Sequence, residues 1–256
     1  MNDGLRFAFG TLTALPVAVR RWDRKAARAG MLLAPLTGLV LGLVAAAAGG
    51  LLSLGTGPLL AAVASVASVA VLTRGLHLDG LADTADGLGS GKPAEQALAV
   101  MRRSDIGPFG VLALLFVLLA QIAALSEVQR ENGWPAAALA LTAALVAGRC
   151  TLPLACRPAV PPARPEGLGA AVAGTVPRGR ACASAGLAVL ALLVPAGLLA
   201  GPGAALRTAL AMLAGLGAAE ALLRHCVRRL GGTTGDVFGA LAETAATTCL
   251  VLLAVG

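Results

Sequence analysis

A chain of 256 residues that is 57% hydrophobic and only 13% charged, with a mean hydropathy of +0.84, lies far from the roughly 25% charged and 45–50% apolar content of a soluble domain. It reads as an all-α, polytopic integral membrane helical bundle forming a single domain over 1–256. The net charge of +7 comes with 3% aromatics and no Tyr, which leaves no stacking platform for nucleic acid.

The elements follow in chain order. The apolar piece 7–19 is short, and its basic cluster Arg20, Arg21, Arg24, Lys25 and Arg28 comes after it. That is the reverse of a secretory signal, so a helix lying in the interface or partly re-entrant is expected. About seven transmembrane helices follow, at 30–54, 57–73, 107–126, 134–156, 181–200, 203–223 and 236–256, each near the ~20 apolar residues that cross a bilayer core. The second is short and the turn 201–203 is tight, so either place can hold a re-entrant hairpin. Between spans, 93–100 reads as a short amphipathic helix. Glycines such as Gly42, Gly49, Gly215 and Gly217 within the spans suit helices that approach closely in lipid. Five cysteines, at 150, 156, 182, 226 and 249, show no C-x-x-C spacing and read as packing residues.

Lys and Arg alternate between connections as the positive-inside rule requires. Six fall before the first span, four in 74–106, four in 157–180 and three in 224–235, whereas Arg130 and Arg207 lie on the opposite side and Arg149 lies inside a span. The reading is an inner-membrane protein with its N-terminus and active site facing the cytoplasm and its C-terminus outside. Most of the basic excess therefore reports orientation.

Three stretches carry chemistry, and all begin on that basic face. In the first, Asp79, Asp83 and Asp86 follow His77 at i, i+4 and i+7, which puts them on one helical face within about two turns. Carboxylates so crowded need a cation, and hard oxygen donors suit Mg²⁺ or Mn²⁺; on a solvated loop the same residues would be only an acidic helix face. His77 suits an acid-base or phosphate-donor role as well as a structural one. In the second, Arg102 and Arg103 can neutralise phosphate oxygens, and Ser104 or Asp105 can cap the following helix; surface anchoring is the alternative. In the third, Gly231, Gly232, Thr233, Thr234 and Gly235 lead into Asp236 and a helix, an arrangement that can cradle an anion. Glu243 lies within the last span, where an ionisable group implies function or a structural pair with an arginine such as Arg149. No Walker loop, G-x-S-x-G or H-E-x-x-H occurs, which argues against ATP-driven transport, serine hydrolysis and zinc proteolysis.

On these stretches the chain resembles the cobalamin synthase family, which closes the nucleotide loop of vitamin B12. The matching residues are Leu15-Pro16-Val17, Pro35-Leu36-Thr37-Gly38, His77-Leu-Asp-Gly-Leu-Ala-Asp-Thr-Ala-Asp-Gly87, Met101-Arg102, Ser104, Gly107, Glu166-Gly-Leu-Gly169, Gly231-Gly-Thr-Thr-Gly-Asp236 and Gly239-Ala240. Two positions depart from the pattern: Arg103 and Ala246 stand where relatives carry acids. The resemblance implies that a ribose hydroxyl of α-ribazole, or of its 5′-phosphate, attacks adenosylcobinamide-GDP and releases GMP. It implies Mg²⁺, with Mn²⁺ as an alternative, held by Asp79, Asp83, Asp86 and Asp236. Catalysis would fall to Asp83, Asp86 or His77, and substrate contacts to Arg102, Arg103, Ser104, the 231–235 turn and Glu243. Membrane lipid is the expected surround, a homo-oligomer is compatible, and no nucleic acid is involved. The aspartate spacing is also similar to that of CDP-alcohol phosphotransferases, and buried carboxylates would serve a secondary transporter, so both stand as alternatives.

Overall fold

A computed structural model describes residues 2–255, in which ten helices follow one another and no strand is present among the described residues. Two short helices open the chain. Asn2 caps α1 (Asp3–Leu12) by accepting from the Leu5 N–H at 2.9 Å, and Asp23 caps α2 (Arg24–Leu32) by accepting from Lys25 and Ala26. Each cap satisfies backbone donors that a helix start otherwise leaves open. Then come α3 (Ala34–Ser53), α4 (Pro58–Leu72), α5 (Leu76–Gly89), α6 (Ala94–Val100), α7 (Pro108–Ala155), α8 (Gly167–Val172), α9 (Arg178–Leu230) and α10 (Gly235–Ala254). Proline in the first turn of α3, α4 and α7 costs no hydrogen bond there and presets φ.

Four helices, α3, α7, α9 and α10, are long and apolar enough to cross a membrane, or five when α4 and α5 are taken as one broken span bent by 87°. The expected count of seven is therefore not what length and composition alone deliver. The stretches 107–126 and 134–156 both fall in α7, and 181–200 and 203–223 both fall in α9. Both long helices are interrupted. Gly133 (φ 79°, ψ 172°) leaves helical geometry within α7, as do Ala200 and Gly201 within α9. The α7 break reverses the chain. Gln121 donates to Glu243 of α10 at 2.8 Å, while Gly148 lies against the Ala242 carbonyl one residue away. On a straight helix those two positions would stand about 40 Å apart.

α10 is the central post, packed against α5, α7, α8 and α9. A Cβ on Gly148 would meet Ala242 O at 2.6 Å, and one on Gly215 would meet Ala245 O at 2.5 Å, so α7 and α9 reach α10 through backbone contact. Lipid supplies no hydrophobic drive between helices, and packing of small residues takes its place. The outer faces carry the large side chains: Leu51 is 73% exposed, Leu187 69% and Leu198 84%. Water would not tolerate that surface, and a membrane protein requires it. A second core gathers α1, α2, α6 and α8 at one end, with Phe7, Met31 and Val176 fully buried. The cysteines are free, and Cys150, Cys156, Cys226 and Cys249 are buried packing residues while Cys182 is exposed.

Candidate active site

The site forms where α5 crosses the start of α10. At Arg74 (φ 54°) and Gly75 (φ 67°) the backbone enters the left-handed region and turns α5 away from α4. α5 then packs against α7 and α10, and its residues fall outside the apolar stretches expected to cross the membrane. A Cβ on Gly80 would sit 2.6 Å from Asp236 O, and one on Gly239 would sit 2.8 Å from His77 O and 3.2 Å from the Gly80 Cα. Two glycines thus let the helices touch backbone to backbone, which brings Asp79 and Asp83 of α5 up to Asp236 of α10.

Asp79 is exposed and Asp83 half-buried. Burial, followed by the negative charges of Asp79, Asp236 and Asp86, pushes the Asp83 carboxyl up to about 7, with Arg164 pulling the other way. Three carboxylates therefore face one guanidinium, whose Nη1 is 3.5 Å from Asp236 Oδ2. Arg164 arrives by a backbone clamp. The Thr233 N–H donates to Pro161 O and the Ala163 N–H to Thr233 O, both at 2.9 Å, and Arg164 itself donates to Leu98 O at 2.8 Å. Sequence reasoning passed over Arg164 as one charge among several; the proline-rich run around it, Pro161-Pro162-Ala163-Arg164-Pro165, was the available signal for a fixed, extended loop.

Asp86 does not join the aspartate group as expected. It is 7% exposed and accepts from the backbone N–H groups of Gly107 (2.7 Å) and Gly110 (2.9 Å), so it closes the start of α7. A Cβ at either glycine would collide with this carboxylate, which explains the Gly-x-x-Gly spacing. Ser104 and Asp105, the expected caps, are exposed and leave that role to Asp86. Asp86→Ala would strand two donors and is expected to lower stability by about 3 kcal/mol. Asp86→Asn, which keeps one acceptor, would lose less; thermal melts in detergent measure both.

His77 also departs from the expected grouping. Its ring is 2% exposed and turns into the bundle, where Nδ1 lies 3.4 Å from Arg149 Nη2. Arg149 is fully buried, and its Nε and Nη1 have no partner among the described residues. Glu243 is 5% exposed and lies about two turns deeper along α10 than Asp236. Its hydrogen-bond partner is Gln121, which also donates to Thr247 at 2.9 Å. Among the described residues no direct ion pair joins Glu243 to Arg149, although the two lie near enough to interact electrostatically. Gln121, on the facing α7 limb, was invisible in a polar-poor apolar run.

The glycine-threonine turn is largely committed to structure. Gly231 (φ 81°) ends α9 in the left-handed region, as glycine at that position commonly does. A side chain on Gly232 would strike Pro161 and Ala163. Thr233 spends its N–H on Pro161, and Thr234 accepts from Val237 N and donates to Asp236 at 3.1 Å. Gly235 opens α10. The turn therefore positions Asp236 and Arg164 and is not an empty cradle. Arg102 and Arg103 are exposed, and Arg102 lies near enough to interact electrostatically with Arg164.

Among the described residues no three His, Cys, Asp or Glu side chains stand as a ready-made cation cage. The donor chemistry nevertheless fits Mg²⁺, which is commonly held by one or two carboxylates while waters and substrate phosphates complete its shell. Asp79 and Asp236, on opposite sides of the helix crossing, offer such a pair with an excess of negative charge.

The family model for cobalamin-5-phosphate synthase matches residues 4–254. The chain is 46% identical to an adenosylcobinamide-GDP ribazoletransferase of Frankia casuarinae over 263 residues, covering 96% of this chain and 93% of that protein. It is 43% identical to the enzyme so named in Nocardioides sp. (96% and 95% covered) and 42% identical to that of Bradyrhizobium diazoefficiens (98% and 92% covered). No solved structure matches. The helix crossing, its aspartates and the apolar bundle beneath them are thus those of a chain that belongs to the cobalamin-5-phosphate synthase family.

Proposed function

We propose that this protein joins adenosylcobinamide-GDP to α-ribazole, or to α-ribazole 5′-phosphate, in the nucleotide-loop step of cobalamin synthesis. The ribose hydroxyl oxygen attacks the cobinamide-linked phosphorus, a new P–O bond forms, the bond to the second phosphate breaks, and GMP leaves. The observation that carries this reading is the meeting of Asp79 and Asp83 with Asp236 at the Gly80–Gly239 crossing, beside Arg164. The names of the relatives supply the substrates.

Asp83 stands between the carboxylates of the two helices, and an Oδ of its side chain accepts the hydroxyl proton. Arg102 and Arg103 orient the diphosphate from the exposed rim, and Arg164, held by Asp236 and Leu98, presents its guanidinium to the phosphate that leaves. Mg²⁺ held by Asp79 and Asp236 would offset negative charge on the departing phosphate. Transfer is expected to fall to background in excess EDTA and return with Mg²⁺ or Mn²⁺; full activity in EDTA would remove the cation from this reading.

The chain crosses the inner membrane seven times in this proposal, with α7 and α9 each folding back at its break and the site facing the cytoplasm. The distribution of Lys and Arg supports that orientation. A reporter fused after Gly256 should be active outside the cytoplasm, and a cytoplasmic signal would require an even number of crossings.

A further inference from the structure

Away from the aspartates, a second concavity opens between the first turn of α9, its last turns and the loop that follows α7. Its volume is about 760 Å³, and its lining includes Arg157, Arg178, Glu220, Arg224 and Arg228. Four guanidinium groups there face one carboxylate. Glu220 already serves two of them, receiving both arms of Arg157 (3.0 and 3.1 Å) and Nε of Arg224 (2.9 Å). Arg178 and Arg228 are exposed and have no ion pair or hydrogen bond among the described residues. The walls between these charges are apolar, with Val160 and Leu223 buried.

We propose that this cleft binds the headgroup of an anionic phospholipid. The charge suits a phosphodiester, and because Glu220 engages both arms of Arg157, the donors open to it are those of Arg178 and Arg228. A soluble anion would explain the arginines but not what lies next to them. Leu210 and Leu213 on the second limb of α9 are both more than half exposed. Leu213 and Leu210 stand about 22 and 27 Å along the helix from Arg228 and within about 60° of it around the axis, so they continue the face that Arg228 begins. A charged cleft that continues into an exposed apolar face is the shape of a headgroup joined to acyl chains, and basic pockets between helices on the cytoplasmic side select such lipids. The orientation proposed above decides only which leaflet supplies the lipid. The cleft shares no lining residue with the aspartate site, so the proposal stands or falls apart from the transfer reaction.

The test uses the full chain reconstituted in phosphatidylcholine vesicles doped with cardiolipin, extracted in mild detergent and weighed by native mass spectrometry. The wild type is expected to retain cardiolipin. Arg178→Gln combined with Arg228→Gln should retain about twenty-fivefold less, since each arginine near a charged surface changes affinity by about fivefold. Arg178→Lys with Arg228→Lys, which keeps the charge, should stay within about threefold of wild type. Arg20→Gln with Lys25→Gln, which removes as much charge elsewhere, should match wild type. Equal retention by the glutamine pair and the wild type would overturn the proposal. So would equal loss in the Arg20 and Lys25 control, or displacement of the lipid by millimolar inorganic phosphate or GDP, which would make the cleft a site for soluble anions.

Discussion

Asp83→Asn is expected to lower transfer by about a thousandfold while the protein stays folded, because a positioned general base supplies on the order of a hundred- to ten-thousandfold. The two halves of that expectation have separate causes. The Asp83 side chain makes no hydrogen bond or ion pair among the described residues, and its carboxyl is crowded by Asp79, Asp236 and Asp86. An amide of the same shape therefore removes repulsion and strands no partner. Without a divalent cation, the melting temperature of Asp83→Asn should equal or exceed that of the wild type. Chemistry should move the other way, since the amide can neither take a proton nor offset positive charge. Wild-type turnover in this variant would remove Asp83 from the reaction, and a collapse in stability would show that the side chain holds the fold instead.

Gly239→Val is expected to be the most damaging change outside the charged groups. Its Cβ would lie 2.8 Å from His77 O and 3.2 Å from the Gly80 Cα, and backbone cannot swing aside as a flexible side chain can. The helices must separate by about 1 Å or more, and a displacement of that size at a reacting centre costs about a hundredfold in rate. Overpacking of this kind also costs about 1–3 kcal/mol of stability. Gly217, with open space where its Cβ would go, provides the control: Gly217→Ala should leave activity intact and raise stability slightly. Activity measured beside thermal melts separates the two effects. A fully active Gly239→Val would mean that contact between α5 and α10 is not needed to assemble the site.

Much of this arrangement was legible before any coordinates. Hydropathy marked the apolar stretches because lipid demands ~20 apolar residues per crossing, and the three polar stretches emerged because charged residues in such a chain require a reason. Spacing alone could not assign partners. The i, i+4, i+7 pattern correctly placed Asp79, Asp83 and Asp86 on one helix, yet two amides from the start of α7 claim Asp86. Those amides are backbone and leave no mark in the side-chain sequence beyond Gly107 and Gly110. His77 faces the other way, toward Arg149, since a residue two positions before Asp79 lies well around the helix from it. Arg164 reaches Asp236 only because residues 161–163 hydrogen-bond to Thr233, some seventy residues later. Reversal at Gly133 was legible as a gap between apolar stretches; the helical backbone on both sides hides it from a count based on length.

The most direct test of the central claim is release of GMP from adenosylcobinamide-GDP by the purified, lipid-reconstituted protein, with and without α-ribazole and Mg²⁺. Release is expected only when both are present, in step with formation of the joined product. No release from protein shown to be folded, or release that ignores α-ribazole, would contradict that claim.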